Sequence, residues 1–424
     1  MFTRSESISS HAQTRFVHEA LDTSQQQIRL LRLQGEEYES PNDFPPMLID
    51  CEICHFNLET IPPYRAISYT WGDPDTTIVI TVNERQFHVR DNLWDFLDVA
   101  RDEFQGQWLW IDALCIDQEN VGERNHQVQL MKNIFSGAQA VVSWLGSAAD
   151  ESDIFMELVE CYAVYLTKQV SPLLLPMDEP VRDIYEISFG WQWKLGLEDK
   201  ENDPIKRSLL HLLGKSQGAI QAFLNRPYWQ RIWIVQEVRF AQAHFIMCGR
   251  QTTTSTNLNS FITQMKKSID LIFRRNPNST IKENLWFPYP YAVLNPPVAL
   301  TEFSLSNVVR TYRGSQCTDI RDRVYGIMSL VNERTRIPVD YSKSTFELFS
   351  MTLGKVIQTE WGHESKDAKE FPDELKKALG LDDTAVNPNF VRLFVQCGIK
   401  YRPRLLTLEK WLEIVERRKR RDGS

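Results

Sequence analysis

Runs of apolar residues along the chain predict a series of strands and helices. The stretch 107–117, "QWLWIDALCID", is apolar on both faces, as is typical of a strand covered on both sides. The amphipathic stretch that starts at about Glu123 predicts a helix, and "AVVSWLG" after it predicts another buried strand. Strand, helix and strand in this order indicate a parallel crossover. We therefore expect the strand Trp108–Ile116 to be central in a parallel sheet.

The other patterns are less uniform. "TIVITVNERQFHVR" alternates around a polar turn and predicts a hairpin, and "DNLWDFLDVARDEF" predicts a helix capped by Asp91. Ser344 and Glu347 have the spacing of a capping box, and ordered structure is expected to begin near Pro45. We divide the chain into a polar N-terminal segment (1–44), a core (45–250) with a helical insertion (about 151–225), a continuation of the core region (251–360) and a mostly helical C-terminal tail (361–424).

Composition narrows the class of protein. The chain has 424 residues, of which 42% are hydrophobic, so it is long enough to bury a large core. The 48 basic and 56 acidic residues give a net charge of -8, which argues against nucleic acid as a partner. Seven cysteines without disulfide-like spacing favour a reducing compartment. No apolar stretch has the length of a signal peptide core or a membrane span, so we expect a cytoplasmic protein without a membrane partner.

Two motifs are weak candidates for function. Cys51, Cys54 and His55 have the spacing C-x-x-C-H, but alternation along a strand places the two cysteines on opposite faces. We therefore predict no metal site. The basic run Arg417–Arg421 fits a nuclear signal, an anion-binding tail or the last turn of a helix, and the last of these suits the helix dipole best.

Carboxylates that follow or interrupt apolar runs are stronger candidates. Asp112 and Asp117 lie where the predicted central strand ends, and ligands of open α/β sheets bind at the carboxyl ends of strands. The alternative is that they cap the next turn and pair with Arg124.

A second candidate lies in "RPYWQRIWIVQEV". Trp229, Trp233 and Glu237 are four residues apart, so on a helix Glu237 would extend from an aromatic face. A carboxylate in such surroundings is either functional or paired with an arginine for structural reasons. The stretch "DIRDRVYGIMSLV" predicts a helix, and within it we expect Arg321, Asp322 and Arg323 to form a structural cluster of salt bridges.

Four blocks in fixed order resemble the fungal heterokaryon incompatibility (HET) domain. They are "YRAISYTWGD", "LWIDALCIDQENVGERNHQVQLMKNIFSGAQAVVSWLG", "RPYWQRIWIVQEV" and "CTDIRDRVYGIMSLV". Asp117 departs from the pattern, because the family more often has asparagine there. The HET domain is regarded as similar to the Toll/interleukin-1 receptor (TIR) domain, so the resemblance implies an α/β fold with a flavodoxin-like parallel sheet, helical insertions and a mostly helical C-terminal portion.

The resemblance also implies a site. In TIR domains that hydrolyse NAD, the catalytic glutamate follows a tryptophan on the corresponding helix, which here gives Trp233 and Glu237. The implied catalytic residue is Glu237, and the residues expected to bind substrate are Ser68, Tyr69, Trp71, Asp112, Asp117, Gln118, Arg124 and Trp233. Arg124 would hold the loop after the central strand or face a phosphate.

The function implied by this resemblance is self/non-self recognition that triggers regulated cell death. Two mechanisms remain open. In the first, the chain is an NAD glycohydrolase, for which NAD is a substrate and no other cofactor is expected. In the second, it is a non-catalytic oligomerisation module that recruits death effectors. Both imply a protein partner or self-association.

Overall fold

A computed structural model describes residues 15–34, 49–168, 218–275, 304–361 and 367–388, together with residues 290, 293, 294, 391, 392, 394 and 395. Part of the expected helical insertion (169–217) and part of the expected helical tail (396–424, including Arg417–Arg421) lie outside the described residues.

The described strands form one mixed sheet of nine. They are β1 (Gln27–Leu33), β2 (Asp50–Asn57), β3 (Tyr64–Tyr69), β4 (Thr77–Val82), β5 (Arg85–Arg90), β6 (Trp108–Ile111), β7 (Ala140–Trp144), β8 (His244–Cys248) and β9 (Gln251–Thr254). Their order in the sheet is β5-β4-β2-β1-β6-β3-β7-β8-β9. The predicted hairpin is confirmed as β4 and β5, which pair in antiparallel fashion from Thr77 and Arg90 to Val82 and Arg85.

The prediction that β6 is central is confirmed, because it is the fifth of the nine strands. It pairs in parallel with β3 and in antiparallel fashion with β1. Strand β3 also pairs in parallel with β7, and β7 with β8. In chain order these four parallel strands are arranged second, first, third, fourth, which is the order of flavodoxin-like doubly wound sheets. The α/β fold class is therefore confirmed, although the sheet is mixed rather than parallel throughout.

The described helices are α1 (Asp91–Glu103), α2 (Asp112–Cys115), α3 (Val121–Gly137), α4 (Ser152–Lys168), α5 (Ile234–Phe240), α6 (Ser255–Arg275), α7 (Leu305–Tyr312), α8 (Asp322–Tyr325), α9 (Thr345–Thr359) and α10 (Asp367–Ala378). The capping box of α9 is confirmed, because the Ser344 side chain accepts from the Glu347 N–H and the Glu347 carboxylate from the Ser344 N–H. The N-cap of α1 is Arg90 rather than the predicted Asp91.

Three predicted elements differ from the structure. The strand expected over Trp108–Ile116 ends at Ile111, and Asp112–Cys115 forms the helical turn α2. The helix expected to carry Trp229 and Trp233 is two separate pieces, a 3-10 turn (Pro227–Gln230) and α5, because the Ile232 N–H donates to the carbonyl of Gln316 instead of to a local carbonyl. The helix expected over "DIRDRVYGIMSLV" is reduced to α8 and a 3-10 turn at Met328–Leu330.

Strand β1 lies inside the segment that the sequence indicated to be polar and without structure. Its residues Ile28, Leu30 and Leu31 are fully buried, and its whole length pairs with β2. Arg29 is also buried, at 1% exposure. Because the strand contains this charged residue, the sequence did not indicate a buried strand here. Ordered structure therefore begins before Pro45.

The described residues divide into two compact units. Unit 1 contains those within Met1–Asp117, Ile134–Gln230 and Ala241–Asn295, and includes the whole sheet. Unit 2 contains those within Gln118–Asn133, Arg231–Phe240 and Pro296–Ser424. Its core is a cluster of buried apolar side chains from α5, α7, α9 and α10, with Leu348, Leu353 and Phe371 at 0% exposure. The core of unit 1 includes the fully buried Trp110 and Trp144 on the parallel strands.

Candidate functional site

In unit 1, the structure brings together two of the predicted site residues. Trp71 lies two residues after β3, and Asp112 directly follows β6. Because β3 and β6 are parallel neighbours, their carboxyl ends meet, and the Trp71 indole N–H donates to Asp112 Oδ2 at 2.9 Å. The other carboxylate oxygen of Asp112 accepts from the Ala113 N–H at 2.7 Å, at the start of α2. Asp112 therefore accepts from the first turn of α2 and fixes an aromatic side chain at the same time.

The loop around Trp71 is held by its neighbours. The Arg90 guanidinium lies 5.3 Å from the Trp71 ring centroid, and Arg90 also donates to the carbonyl of Gly72 at 2.9 Å. Gly72 has φ +80, and a Cβ there would lie 2.8 Å from Asp91 Oδ1, so the tight turn requires glycine. A half-buried indole is thus presented at the carboxyl edge of the sheet.

Ser68 and Tyr69, which were expected to bind substrate, are both buried at 2% exposure within β3. The Ser68 hydroxyl lies 2.8 Å from the Tyr228 hydroxyl, which in turn lies 2.5 Å from Ser143 Oγ. Ser143 Oγ is also 2.6 Å from Nε2 of His244. Burial lowers the pKa of His244 to about 3, so the imidazole is neutral. These four side chains form a hydrogen-bonded network inside unit 1.

We expect Tyr228→Phe to lower the free energy of unfolding by about 1–3 kcal/mol, because it leaves buried serine hydroxyls without this partner. Chemical denaturation of the variant and the wild type measures the difference. Tyr312→Phe is the matched control, since no hydrogen bond to its hydroxyl is recorded within the described residues. An equal loss in both variants would contradict the importance of the network.

In unit 2, Asp322 lies at the centre of a cluster that joins three sequence blocks. It is 7% exposed and accepts from the Tyr341 hydroxyl at 2.5 Å and from the Trp233 indole N–H at 3.1 Å. Burial raises its pKa to about 6. We call Arg124, Trp233, Arg321, Asp322 and Tyr341 the Asp322 cluster.

The arginines of the Asp322 cluster pack on Tyr341. The Arg124 guanidinium lies 4.2 Å from the Tyr341 ring centroid, and that of Arg321 lies 5.3 Å from it. The Tyr341 N–H also donates to Asn125 Oδ1 at 3.0 Å. The stacking of Arg124 on Tyr341 is a cation–π contact, and the expected roles of Arg124, holding the loop after the central strand or facing a phosphate, stay predictions.

The expected cluster of salt bridges at residues 321–323 has a different arrangement. Arg321 pairs with Asp319 through two hydrogen bonds, of 2.9 and 2.6 Å, and also donates to the carbonyls of Tyr341 and Lys343. Arg323 donates to the carbonyl of Ala378 at 2.9 Å. Asp322 is held by neutral donors. Tyr341 was not predicted as a partner of Asp322, nor was Asp319 predicted as a partner of Arg321. Tyr341 was missed because only the fold brings "VDY" close to Asp322.

Glu237 is buried in α5, with 4% of its side chain exposed, and its Oε2 lies 3.9 Å from a terminal nitrogen of Arg231. Trp233 is half-buried and its indole N–H is used by Asp322. The remaining predicted residues, Asp117 and Gln118, are half-buried between α2 and α3. For Glu237, the geometry matches the arginine pairing that the sequence left open as an alternative to a functional role.

The described residues contain neither a group of side chains arranged to bind a metal nor a helix that could cross a membrane. Cys51 is buried and Cys54 is half-buried on β2, and no group of three or more histidine, cysteine, aspartate or glutamate side chains within the described ranges has a metal-binding arrangement. Among those same residues, no helix combines the length and apolarity needed to cross a bilayer.

Comparison with known proteins finds a family model that matches part of the chain. Residues 64–237, which run from β3 to Glu237, match the family model described as Heterokaryon incompatibility protein (HET). This part of the chain is similar to a HET domain. The region matched by the HET model contains Trp71, Asp112 and Arg124, whereas Asp322 and Tyr341 lie beyond it.

A curated relative extends the HET match. The chain is 25% identical over 354 residues to "Heterokaryon incompatibility protein 6, OR allele" of Neurospora crassa, a match that covers 74% of this chain and 50% of the relative. The chain therefore spans about half the length of that relative. No solved structure gives a significant match.

Proposed function

We propose that this chain acts in heterokaryon incompatibility, the recognition of non-self between fused fungal cells, and that its activation in the cytoplasm leads to regulated cell death. The HET domain over residues 64–237 and the relative named for heterokaryon incompatibility support this function. Expression in a sensitive fungus, together with a fusion that forces the chain to oligomerise, is expected to stop growth. Harmless expression with every such fusion and candidate partner would contradict the proposal.

The molecular role proposed for the HET domain is that of a non-catalytic signalling module that associates with itself or with a protein partner. The burial of Glu237 carries this choice. A carboxylate that stabilises a ribosyl cation must contact its substrate, whereas Glu237 is 4% exposed and lies 3.9 Å from Arg231. A buried carboxylate beside a guanidinium is typical of a structural ion pair.

The second candidate is hydrolysis of NAD in a TIR-like manner. It is supported by the order of the parallel strands, whose carboxyl edge carries Trp71 and Asp112. Nicotinamide leaves as a neutral base, so a single carboxylate such as Glu237 would be sufficient where ordinary glycosidases use two. In this candidate, Trp71 and Asp112 would contribute to the binding of NAD.

The variant Glu237→Gln separates the two candidates. For a structural ion pair, we expect a loss of about 1–3 kcal/mol in unfolding free energy, because Arg231 keeps its charge without its partner. The wild-type protein, concentrated or fused to an oligomerising domain, is expected to release no nicotinamide from NAD. Thermal unfolding and chromatography of the reaction mixture measure the two results.

A double-mutant cycle supplies the control. Arg231→Met removes the cation, and in the pair Glu237→Gln/Arg231→Met the loss of stability should be smaller than the sum of the single losses. The opposite result supports catalysis. In that case the wild type releases nicotinamide from NAD, and the Glu237→Gln variant keeps its thermal midpoint but neither consumes NAD nor kills. That outcome would overturn the non-catalytic role.

A further inference from the structure

The carboxyl group of Asp322, inside unit 2, is held by donors that carry no charge. Its Oδ2 accepts from the Trp233 indole N–H at 3.1 Å, and its Oδ1 accepts from the Tyr341 hydroxyl at 2.5 Å. An indole nitrogen can only donate, so Oδ2 remains an acceptor and a proton that binds Asp322 binds at Oδ1. We call the side chains of Trp233 and Tyr341 the cover of Asp322.

The charged groups near Asp322 act in opposite directions. The Arg124 guanidinium of α3 lowers the pKa of Asp322, whereas the carboxylate of Asp319 raises it. The two arginines next to Asp322 in sequence have other acceptors, because Arg321 pairs with Asp319 and Arg323 donates to a backbone carbonyl. Burial raises the pKa of the remaining titratable neighbours, which therefore stay uncharged at neutral pH, and these are Cys317 and Tyr341.

Burial determines whether Asp322 holds a proton. The residue is 7% exposed, and desolvation raises its pKa to about 6, although the hydrogen bonds from Tyr341 and Trp233 lower it. Water therefore stabilises the ionised form more than the cover does. Loss of the proton consequently favours any state in which water reaches the carboxylate.

The Trp233 side of the cover is the side that can move. Trp233 is half-buried, and the recorded hydrogen bond of its indole is the one to Asp322. Tyr341 is also fixed through its backbone, because its N–H donates to Asn125 Oδ1 at 3.0 Å and its carbonyl accepts from Arg321 at 2.6 Å. A small displacement of Trp233 would therefore admit water to Asp322.

Trp233 also begins the helix that carries Glu237. Its carbonyl accepts from the N–H groups of Gln236 and Glu237, at 3.2 and 3.3 Å. Helix α5 has seven residues, and isolated helices of this length are not stable in water. The position of α5 therefore depends on tertiary contacts such as that of Trp233 with Asp322.

We propose that Asp322 and Trp233 form a proton-dependent latch on α5, which is closed when Asp322 is protonated and opens more often when Asp322 loses its proton to solvent. Acidification from about pH 7.5 to about pH 5 would then hold α5, and Glu237 with it, more firmly. This inference goes beyond the proposed function, because the test measures the opening of the latch and is the same whether the chain is catalytic or not.

Exchange of the Trp233 indole hydrogen tests the latch, because this hydrogen reaches water when its bond to Asp322 breaks. NMR of protein with isotope-labelled tryptophan follows the 12 indole N–H groups, and Trp233→Phe identifies the signal. After correction for intrinsic exchange, the opening constant should be about tenfold larger at about pH 7.5 than at about pH 5, because opening returns the pKa from about 6 to 3.8. The Trp229 indole, which donates to the Phe223 carbonyl, should show no such rise.

Three variants make the result decisive. Asp322→Asn has no proton to lose at this position, so the rise should disappear, whereas Asp382→Asn removes an exposed carboxylate of unit 2 and should keep it. Tyr341→Phe removes a donor that lowers the pKa of Asp322, so the rise should move to higher pH. The proposal is overturned if the opening constant of Trp233 is equal at both pH values in the wild type. A rise that persists in Asp322→Asn, or one that keeps its position in Tyr341→Phe, also overturns it.

Discussion

Arg29→Ala is expected to lower the free energy of unfolding by about 3–5 kcal/mol, since it removes charged donors from the buried carbonyl of Cys115 and the part-buried carbonyl of Glu19. The Arg29 side chain donates to the carbonyls of Glu19 and Cys115 and, at 3.2 Å, to Nε2 of His55. Arg29→Lys should also be costly, because an ammonium lacks the planar fork of donors. Equilibrium denaturation with urea measures both losses.

The matched control lies on the same strand. Arg32 pairs with Glu52 at 2.6 Å, but 41% of its side chain is exposed. Exposed ion pairs contribute less than about 1 kcal/mol, so Arg32→Ala should have a small effect. Similar losses for Arg29→Ala and Arg32→Ala would show that the buried guanidinium does not hold the carbonyls of Glu19 and Cys115 in place.

Asp322→Asn is expected to raise the free energy of unfolding at pH 7 by about 1–3 kcal/mol. The folded pKa of Asp322, about 6, lies above its ordinary value of 3.8 because of burial. The contribution of this group to stability is therefore complete below about pH 4 and is lost as the pH rises through 6. Asparagine removes the buried charge, while its amide still accepts from Trp233 and donates to Tyr341.

The test for Asp322 is the difference in unfolding free energy between Asp322→Asn and the wild type, measured from pH 4 to pH 8. Both proteins contain His244, so its contribution cancels in this difference. The pKa of His244 is lowered to about 3, so its contribution to stability is present above about pH 6.5 and is lost as the pH falls, which is the opposite of the pH dependence of Asp322. The gain from Asp322→Asn should shrink as the pH falls below 6. A gain that is constant over the whole range would contradict the assigned titration.

The sequence predicted the centre of the sheet better than its margins. Residues 108–111 are apolar on both faces, and this pattern is specific for a strand covered on both sides, so the position of β6 was correct. Its end was wrong, because an apolar run does not distinguish a strand from a buried helical turn. Strand β1 was missed because it contains Arg29, a charged residue that is nevertheless buried in the fold.

The candidate site was predicted only where it depends on neighbouring strand ends. Trp71 and Asp112 meet because both follow parallel strands, which the order of blocks already implied. The partners of Trp233 were not predictable, because Asp322 and Tyr341 follow it by about ninety residues or more and local periodicity carries no information about such contacts. The same limit explains why a single helix through Trp229 and Trp233 was expected.

The division of the chain has a consequence for inheritance. Unit 2 consists of three stretches, Gln118–Asn133, Arg231–Phe240 and Pro296–Ser424, and unit 1 supplies the chain before and between them. A single crossover inside the gene therefore never exchanges one whole unit between two alleles while leaving the other unit whole. Alleles that combine by one crossover join segments with different histories inside at least one packed core. Variants of the two units are thus expected to be inherited as matched sets.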